Sequence, residues 1–214
     1  GSRKYYEVPG FVREVGGEAF RENEEMEEIV VSEGVTIISP YAFNACVRLR
    51  KVVFPSTLEE ICISIFSSCE SLESVTFSSD NPNFTIDGML LFNKDKTKLL
   101  RDFYASYRKE YVVPEGVIFL GSETFRESPI EKIVLPSTLQ TLEGSPFIFS
   151  DRLKDITLYA LTPPEASDGE LFPKDAVIKV PAESVDEYKA TAPWNFYSIE
   201  PIVNPEPGDY YDEY

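Results

Sequence analysis

The sequence predicts an α/β solenoid: stacked coils of about 23 residues, with a mainly parallel β-sheet on one face. Four observations carry this. Phe20, Phe43 and Phe66 recur at an interval of 23 residues. Other phases keep the same interval: Met26, Leu49 and Leu72; Ile29, Val52 and Val75; and the pairs Val12/Val15, Val35/Ile38 and Leu58/Ile61. After a break of 36 residues the repeat resumes at Tyr111, Ile133 and Ile156, with Phe125 and Phe147 each 14 residues into their unit. The segment Pro55-Ser56-Thr57-Leu58 returns verbatim as Pro136-Ser137-Thr138-Leu139.

Each unit opens with apolar residues at alternate positions, such as Ile29/Val31, Val52/Phe54, Val75/Phe77, Tyr111/Val113, Ile133/Leu135 and Ile156/Leu158. That two-residue period belongs to a strand with one buried face. A turn follows, marked by Pro9-Gly10, Gly34, Pro55, Pro114-Glu115-Gly116 or Pro136. The apolar pair comes next, and then a short helical or irregular turn anchored by an aromatic, as in Tyr41-Ala42-Phe43-Asn44-Ala45-Cys46. A single unit cannot bury these positions on both sides, but stacked units can, with strands about 4.8 Å apart. About six or seven rungs are expected, wound right-handed as parallel crossovers are.

Two segments depart from the period. The break holds 13 extra residues, and an insertion over about 80–110 is expected. Within it Asp87-Gly88 separates Phe84-Thr85-Ile86 from Met89-Leu90-Leu91-Phe92, a hairpin signal, and Asn93-Lys94-Asp95-Lys96 turns the chain toward Leu99-Leu100. The expectation is a small excursion projecting from the coil. Residues 162–203 lose the period and read as a C-terminal cap, with Ser184 and Glu187 forming a capping box for a short helix that ends before Pro193. Trp194, Phe196 and Ile199 are expected to cover the last rung. Residues 1–203 read as one domain with repeats over 6–161, and residues 204–214 as a flexible acidic tail. Gly1-Ser2 without an initiating Met fits a processed chain whose export leader has been removed.

A strand ending in Pro, an apolar pair, Ala-Phe, then Cys or Asn three residues on and Leu after it, resembles the 23-residue leucine-rich repeats of BspA-like, or Treponema-type, bacterial surface proteins. The likeness runs over about residues 6–203 and extends to Thr162-Pro163-Pro164, the segment Val180 to Tyr188, and Trp194. The unit from Tyr111 departs from it, with Thr124-Phe125 in place of Ala-Phe. The resemblance implies an exported surface or secreted protein of host-associated bacteria, and for some members adhesion to host matrix proteins.

Charge and composition narrow the functional classes. With 20 Lys and Arg against 37 Asp and Glu, the net charge of −17 opposes binding to nucleic acid and to anionic membranes. No apolar run approaches the roughly 20 residues that would insert in a bilayer. The absence of His removes His-based triads and His-ligated zinc. No cofactor is implied. Cys46 and Cys69 share one phase on adjacent rungs, so they are either buried thiols, as expected here, or a disulfide; Cys62 stands alone. The acid run Glu22, Glu24, Glu25, Glu27 and Glu28 lacks the spacing of a calcium loop and reads as a solvated face. Gly16-Gly17 is too isolated for a phosphate loop, and no spacing marks a catalytic carboxylate pair.

Two surfaces remain. Between the buried strand positions lie Val30, Val53, Thr76, Val112, Val134 and Thr157, flanked by Glu28, Lys51, Ser74, Glu110, Lys132 and Asp155. A row of exposed β-branched residues beside mixed charges suits a protein partner; it is also what strand propensity alone selects. Phe103, Tyr104 and Tyr107, near Arg101, Arg108 and Lys109, are either a second binding patch or the packing of the insertion onto its rung. The expected role is a non-enzymatic protein-binding module, monomeric, with a host extracellular-matrix or bacterial surface protein as partner. The alternatives are a structural spacer and, more distantly, a carboxylate-based glycan hydrolase.

Overall fold

The alternating apolar residues at the head of each repeat form strands in a computed structural model that describes residues 4–62, 64–103, 108–166 and 170–203. The fold is a β-solenoid of about 8 turns with mostly parallel sheets. The span read as one domain divides into two compact units, residues 1–95 with 101–104, and residues 96–100 with 105–214.

In the first unit β1 (Tyr5–Val8), β3 (Glu28–Val31), β5 (Lys51–Phe54) and β7 (Ser74–Phe77) pair in that order, all parallel. Tyr5 stands beside Glu28, Glu28 beside Lys51 and Lys51 beside Ser74, so one repeat of sequence is one step of the sheet. The apolar pairs build a second parallel sheet that the sequence did not announce: β2 (Glu14–Val15), β4 (Ile37–Ile38) and β6 (Glu60–Ile61). Two residues are too short for a visible alternation, which is why only the apolar positions could be read.

The insertion forms the expected hairpin, β8 (Phe84–Asp87) antiparallel to β9 (Leu90–Asn93). Its two-residue loop has Gly88 first at φ +60°, the conformation a type II′ turn requires. The hairpin does not project. Phe84, Ile86 and Met89 pack against the core of the unit, Phe84 with its ring 5.8 Å from that of Phe77. Asn81, fully buried, ties the insertion down: its amide donates to the Pro55 and Leu58 carbonyls, and its oxygen accepts the N–H groups of Asn83 and Phe84.

In the second unit Lys98 and Leu99 of β10 (Lys98–Asp102) pair with β12 (Phe119–Leu120), which pairs with β14 (Thr141–Leu142) and then β16 (Glu165–Ala166). The larger sheet runs β11 (Glu110–Val112), β13 (Lys132–Leu135), β15 (Asp155–Leu158), β17 (Val177–Val180) and β18 (Ser198–Pro201), all parallel. The coil therefore continues through 162–203, where the sequence loses its visible period. Its spacing drifts there, but β17 and β18 still stack in register.

The short helix α1 (Val185–Ala190) forms without the expected capping box. Ser184 ends a 3-10 turn and is itself helical (φ −98°, ψ −10°), whereas a capping side chain needs an extended backbone to fold back on the next N–H groups. The lid is built by Tyr188 and Trp194, both fully buried, whose polar tips donate to the carbonyls of Ala160 and Pro164. Ile199 is 5% exposed in β18, but Phe196 is 78% exposed. It lies two residues past Trp194 in a 3-10 turn of three residues per turn, so it leaves on another side.

Inside each unit the aromatics stack coil on coil. Ring centroids are 5.6 Å apart for Phe20 and Phe43, 5.5 Å for Phe43 and Phe66, and 5.2 Å both for Phe125 and Phe147 and for Phe147 and Phe172. The turns that hold them are not helical. Glu18, Glu22, Tyr41, Ala45, Ser68, Glu123, Glu127 and Phe149 take φ between +55° and +61°, the left-handed region. That zigzag aims alternate N–H groups at the next coil: Glu18 donates to the Pro40 carbonyl, Phe20 to Ala42 and Glu22 to Asn44.

The verbatim repeat has a physical cause. Ser56 gives its N–H and hydroxyl to the Glu33 carboxylate of the preceding coil (2.9 and 2.8 Å), while Thr57 Oγ1 accepts the Gly34 N–H and donates to the Val35 carbonyl. Ser137 and Thr138 repeat the clasp on Glu115, Gly116 and Val117. Gly34 sits at φ +106°, where a Cβ would fall 2.2 Å from the Gly10 carbonyl oxygen, so no other residue fits.

Phe43→Ala is expected to cost about 3–5 kcal/mol through the cavity it opens, and Phe11→Ala, at an 86% exposed site, within about 0.5 kcal/mol; urea midpoints measure both. The Ser56 N–H and hydroxyl hold the Glu33 carboxyl below its usual range. That stabilisation is present above the ordinary Glu pKa of about 4.3 and is lost as pH falls through the depressed folded value. The gap in unfolding midpoint between wild type and Glu33→Gln should therefore narrow from pH 6 to pH 3, both about the span of that titration.

Candidate protein-binding face

Parallel register turns the outward strand positions into straight rows. In the first unit one row is Tyr5, Glu28, Lys51 and Ser74, and the next is Glu7, Val30, Val53 and Thr76. Lys51 pairs with Glu28 at 2.8 Å. Val30 and Val53 are half-buried between their row neighbours, and Thr76 is exposed. In the second unit the rows are Glu110, Lys132, Asp155, Val177 and Ser198, then Val112, Val134, Thr157, Lys179 and Glu200. Lys179 bonds both oxygens of Asp155 at 2.9 Å.

The structure corrects one of these positions. Val134, expected to face solvent, is 3% exposed, flanked in register by Val112 and Thr157 on the adjoining strands. Val112 and Thr157 are half-buried, Lys51 is exposed in its ion pair and Lys132 is half-buried. Phe103 packs: its ring lies edge-on at 5.1 Å to Phe66, and its N–H donates to the Met89 carbonyl. Tyr104 and Tyr107 lie outside the described residues. Tyr5, 51% exposed, and Glu7 belong to the face but were missed, although Tyr6 and Val8 carry the same alternation as Ile29 and Val31 one repeat on.

Beside the rows runs a ladder of alternating charge. Lys4 meets Glu27 at 2.7 Å and Arg50 meets Glu73 at 2.7 Å; in the second unit Lys109 meets Glu131 at 3.3 Å, and Lys154 bonds Asp175. The Lys4 hydrogen bond draws the Glu27 carboxyl below its usual range, and Lys154 does the same for Asp175. The acid run is half of this zipper: Glu25, Glu27 and Glu28 stand one repeat before Arg48, Arg50 and Lys51. The signal was in the 23-residue offset.

Cys46, Cys62 and Cys69 are free thiols. Cys46 Sγ donates to the Phe20 carbonyl and Cys69 Sγ to that of Phe43, as Ser150 Oγ does to Phe125, so this phase calls for a small donor reaching the preceding coil. Burial pushes the Cys69 thiol up to about 12 and raises Cys46 too. A shallow cleft of about 310 Å³ in the second unit is lined by Glu127, Ser128, Pro129, Phe149, Asp151 and Arg152. Among the described residues no three His, Cys, Asp or Glu are grouped to hold a metal ion, and no helix is long and apolar enough to cross a membrane.

The BspA type leucine rich repeat region, in 6 copies, matches residues 3–97 and 101–163. The chain belongs to the BspA-type leucine-rich repeat family. Among solved structures it is similar to the pneumococcal vaccine antigen PcpA, with a TM-score of 0.54 and 20% identity over 94% of this chain and 68% of that one. It is also similar to a leucine rich cell surface protein of Faecalibacterium prausnitzii A2-165, with a TM-score of 0.60 and 17% identity over 94% of this chain and 60% of that one. At these identities the likeness is one of fold. Comparison with curated protein sequences returns no match.

Val53, half-buried, and Val134, buried, differ in what a larger side chain would meet. Val53→Arg should change the unfolding free energy by no more than about 1 kcal/mol, and Val134→Arg should cost about 2 kcal/mol or more by forcing a charge into a closed site, both read from urea titrations.

Proposed function

We propose that the chain is a non-catalytic protein-binding module of an exported bacterial surface protein, and that it captures its partner through the outward rows of the first unit, centred on Val30, Val53 and Thr76. The observation that carries this is the pairing of charge around an apolar row. Lys51 and Glu28 already satisfy each other at 2.8 Å, so a partner can seat against Val30 and Val53 without stripping water from a lone charge, which costs several kcal/mol. In the second unit the matching row is less suited, since Val134 is closed off. Surface location is supported by the cell-surface description of the Faecalibacterium structure. The partner is a protein, of host extracellular matrix or of a neighbouring bacterial surface.

The test is capture on immobilised extracellular-matrix glycoproteins and on bacterial surface extract. Val53→Arg with Thr76→Arg should weaken capture by at least about tenfold, or ~1.4 kcal/mol, with the thermal transition unchanged. Undiminished capture would remove the first unit's face from the function.

A further inference from the structure

One phase of the turns holds its residues in the left-handed region: Glu22, Ala45 and Ser68 in the first unit, Glu127 and Phe149 in the second, all at φ between +55° and +61°. Four of these are small or polar. Phe149 is the exception. A bulky side chain is strained at positive φ, and this one is also 60% exposed, so burial does not offset the strain. Such strain persists where a site uses it.

The ring is held in place. Arg126 bonds Glu123 at 3.5 Å and Glu127 at 3.3 Å, and its guanidinium carbon lies 4.9 Å from the centre of the Phe149 ring. The cleft of about 310 Å³ opens beside that ring, with Pro129 as a further apolar wall. Arg126 does not line it, so the cleft meets a part of the ring that the stacked cation leaves bare. Asp151 and Arg152 do line it, both exposed. Among the described residues neither of their side chains makes a hydrogen bond or an ion pair. An acceptor and a set of donors therefore stand open at the edge of an exposed aromatic.

We propose that this cleft binds a neutral hexopyranose unit of a glycan, with its C–H face on Phe149 and Pro129 and its hydroxyls on Asp151 and Arg152. Charge sets the class. A cationic side chain would meet Arg126 and Arg152, and an anion would meet Glu127 and Asp151. A neutral apolar segment would strip water from Asp151 and Arg152 and return no hydrogen bond. A hydroxyl both donates and accepts, so neighbouring hydroxyls of one sugar can donate to the carboxylate and accept from the guanidinium. The cleft is shallow and lies at the bottom of the ~300–1,000 Å³ range of small-molecule sites, which suits one sugar of a longer chain better than an enclosed free ligand. The site uses none of the outward strand rows and stands whether or not they capture a protein.

The test is a backbone amide NMR titration of the 214-residue chain with methyl α-D-glucopyranoside, methyl β-D-galactopyranoside and methyl α-D-mannopyranoside. At least one should shift the amides of Phe149, Asp151 and Arg152 saturably, with a Kd of about 10 mM or tighter. Phe149→Asn removes the ring and suits the left-handed backbone; it and Asp151→Asn should each weaken binding at least about fivefold. Both positions are exposed, so the thermal transition should not fall, and Asp151→Asn decides alone should Phe149→Asn fail to fold. N-acetylarginine amide, N-acetylleucine amide and N-acetylneuraminic acid stand for a cation, an apolar segment and an anion, and each should move these amides less than the best glycoside. No response to any of the glycosides, undiminished binding by Asp151→Asn or by a folded Phe149→Asn, or a stronger response to one of the three comparison compounds would each overturn the proposal.

Discussion

Everything in this fold depends on one constraint: a side chain has, about 4.8 Å away on the next coil, the side chain of its own phase. Identity is favourable for some chemistries under that rule and unfavourable for others. Apolar rings gain by stacking on themselves, and the Phe ladders follow, with spacings of 5.2–5.6 Å. Residues that donate to the coil before them also repeat, as Cys46, Cys69 and Ser150 do on the carbonyls of Phe20, Phe43 and Phe125. Charges cannot repeat. Lys4, Glu27, Arg50 and Glu73 alternate in sign, as do Lys109, Glu131, Lys154 and Asp175.

The same constraint explains what the sequence revealed. Positions that stack like on like leave a periodic signature, so the strands, the Phe ladder and the turn prolines could be read, and the repeat family with them. The clasp of Glu33 on Ser56 was visible only as a verbatim four-residue repeat, because its two halves sit on different coils. The alternating charges hid for the opposite reason: a search for recurrence passes over a phase whose sign changes at every step. That is why Glu27 and Glu28 read as part of a solvated acidic patch when Lys4 stood one repeat upstream and Lys51 one repeat downstream.

Failures fall where the spacing drifts or where alternation does not decide exposure. Steps of 22 and 21 residues bring β17 and β18 into register, yet they blur the period past 162. The outward row could be placed by alternation, but alternation says only which side of the sheet a residue occupies. Val53 and Val134 share that side and the same row chemistry, one half-buried and the other 3% exposed. The immediate row neighbours do not distinguish them, since each stands between a Val and a Thr; Ser184 fails as a cap because the turn before it had already set its backbone.

The ion-pair ladders also bear on where the negative charge can act. Exposed ion pairs contribute little stability, a few tenths to about 1 kcal/mol each, so the ladders matter less for holding the coil together than for leaving the sheet face locally neutral. The net charge of −17 is then carried by positions outside the zippers. On the turns, Glu18 and Glu22 have Tyr41 and Ala45 as same-phase neighbours and stack on no other acid. Instead Glu18 and Glu22 both bond Arg21 of their own turn, and Glu123 and Glu127 both bond Arg126, so charge on the turns is answered within a coil whereas charge on the sheet is answered between coils.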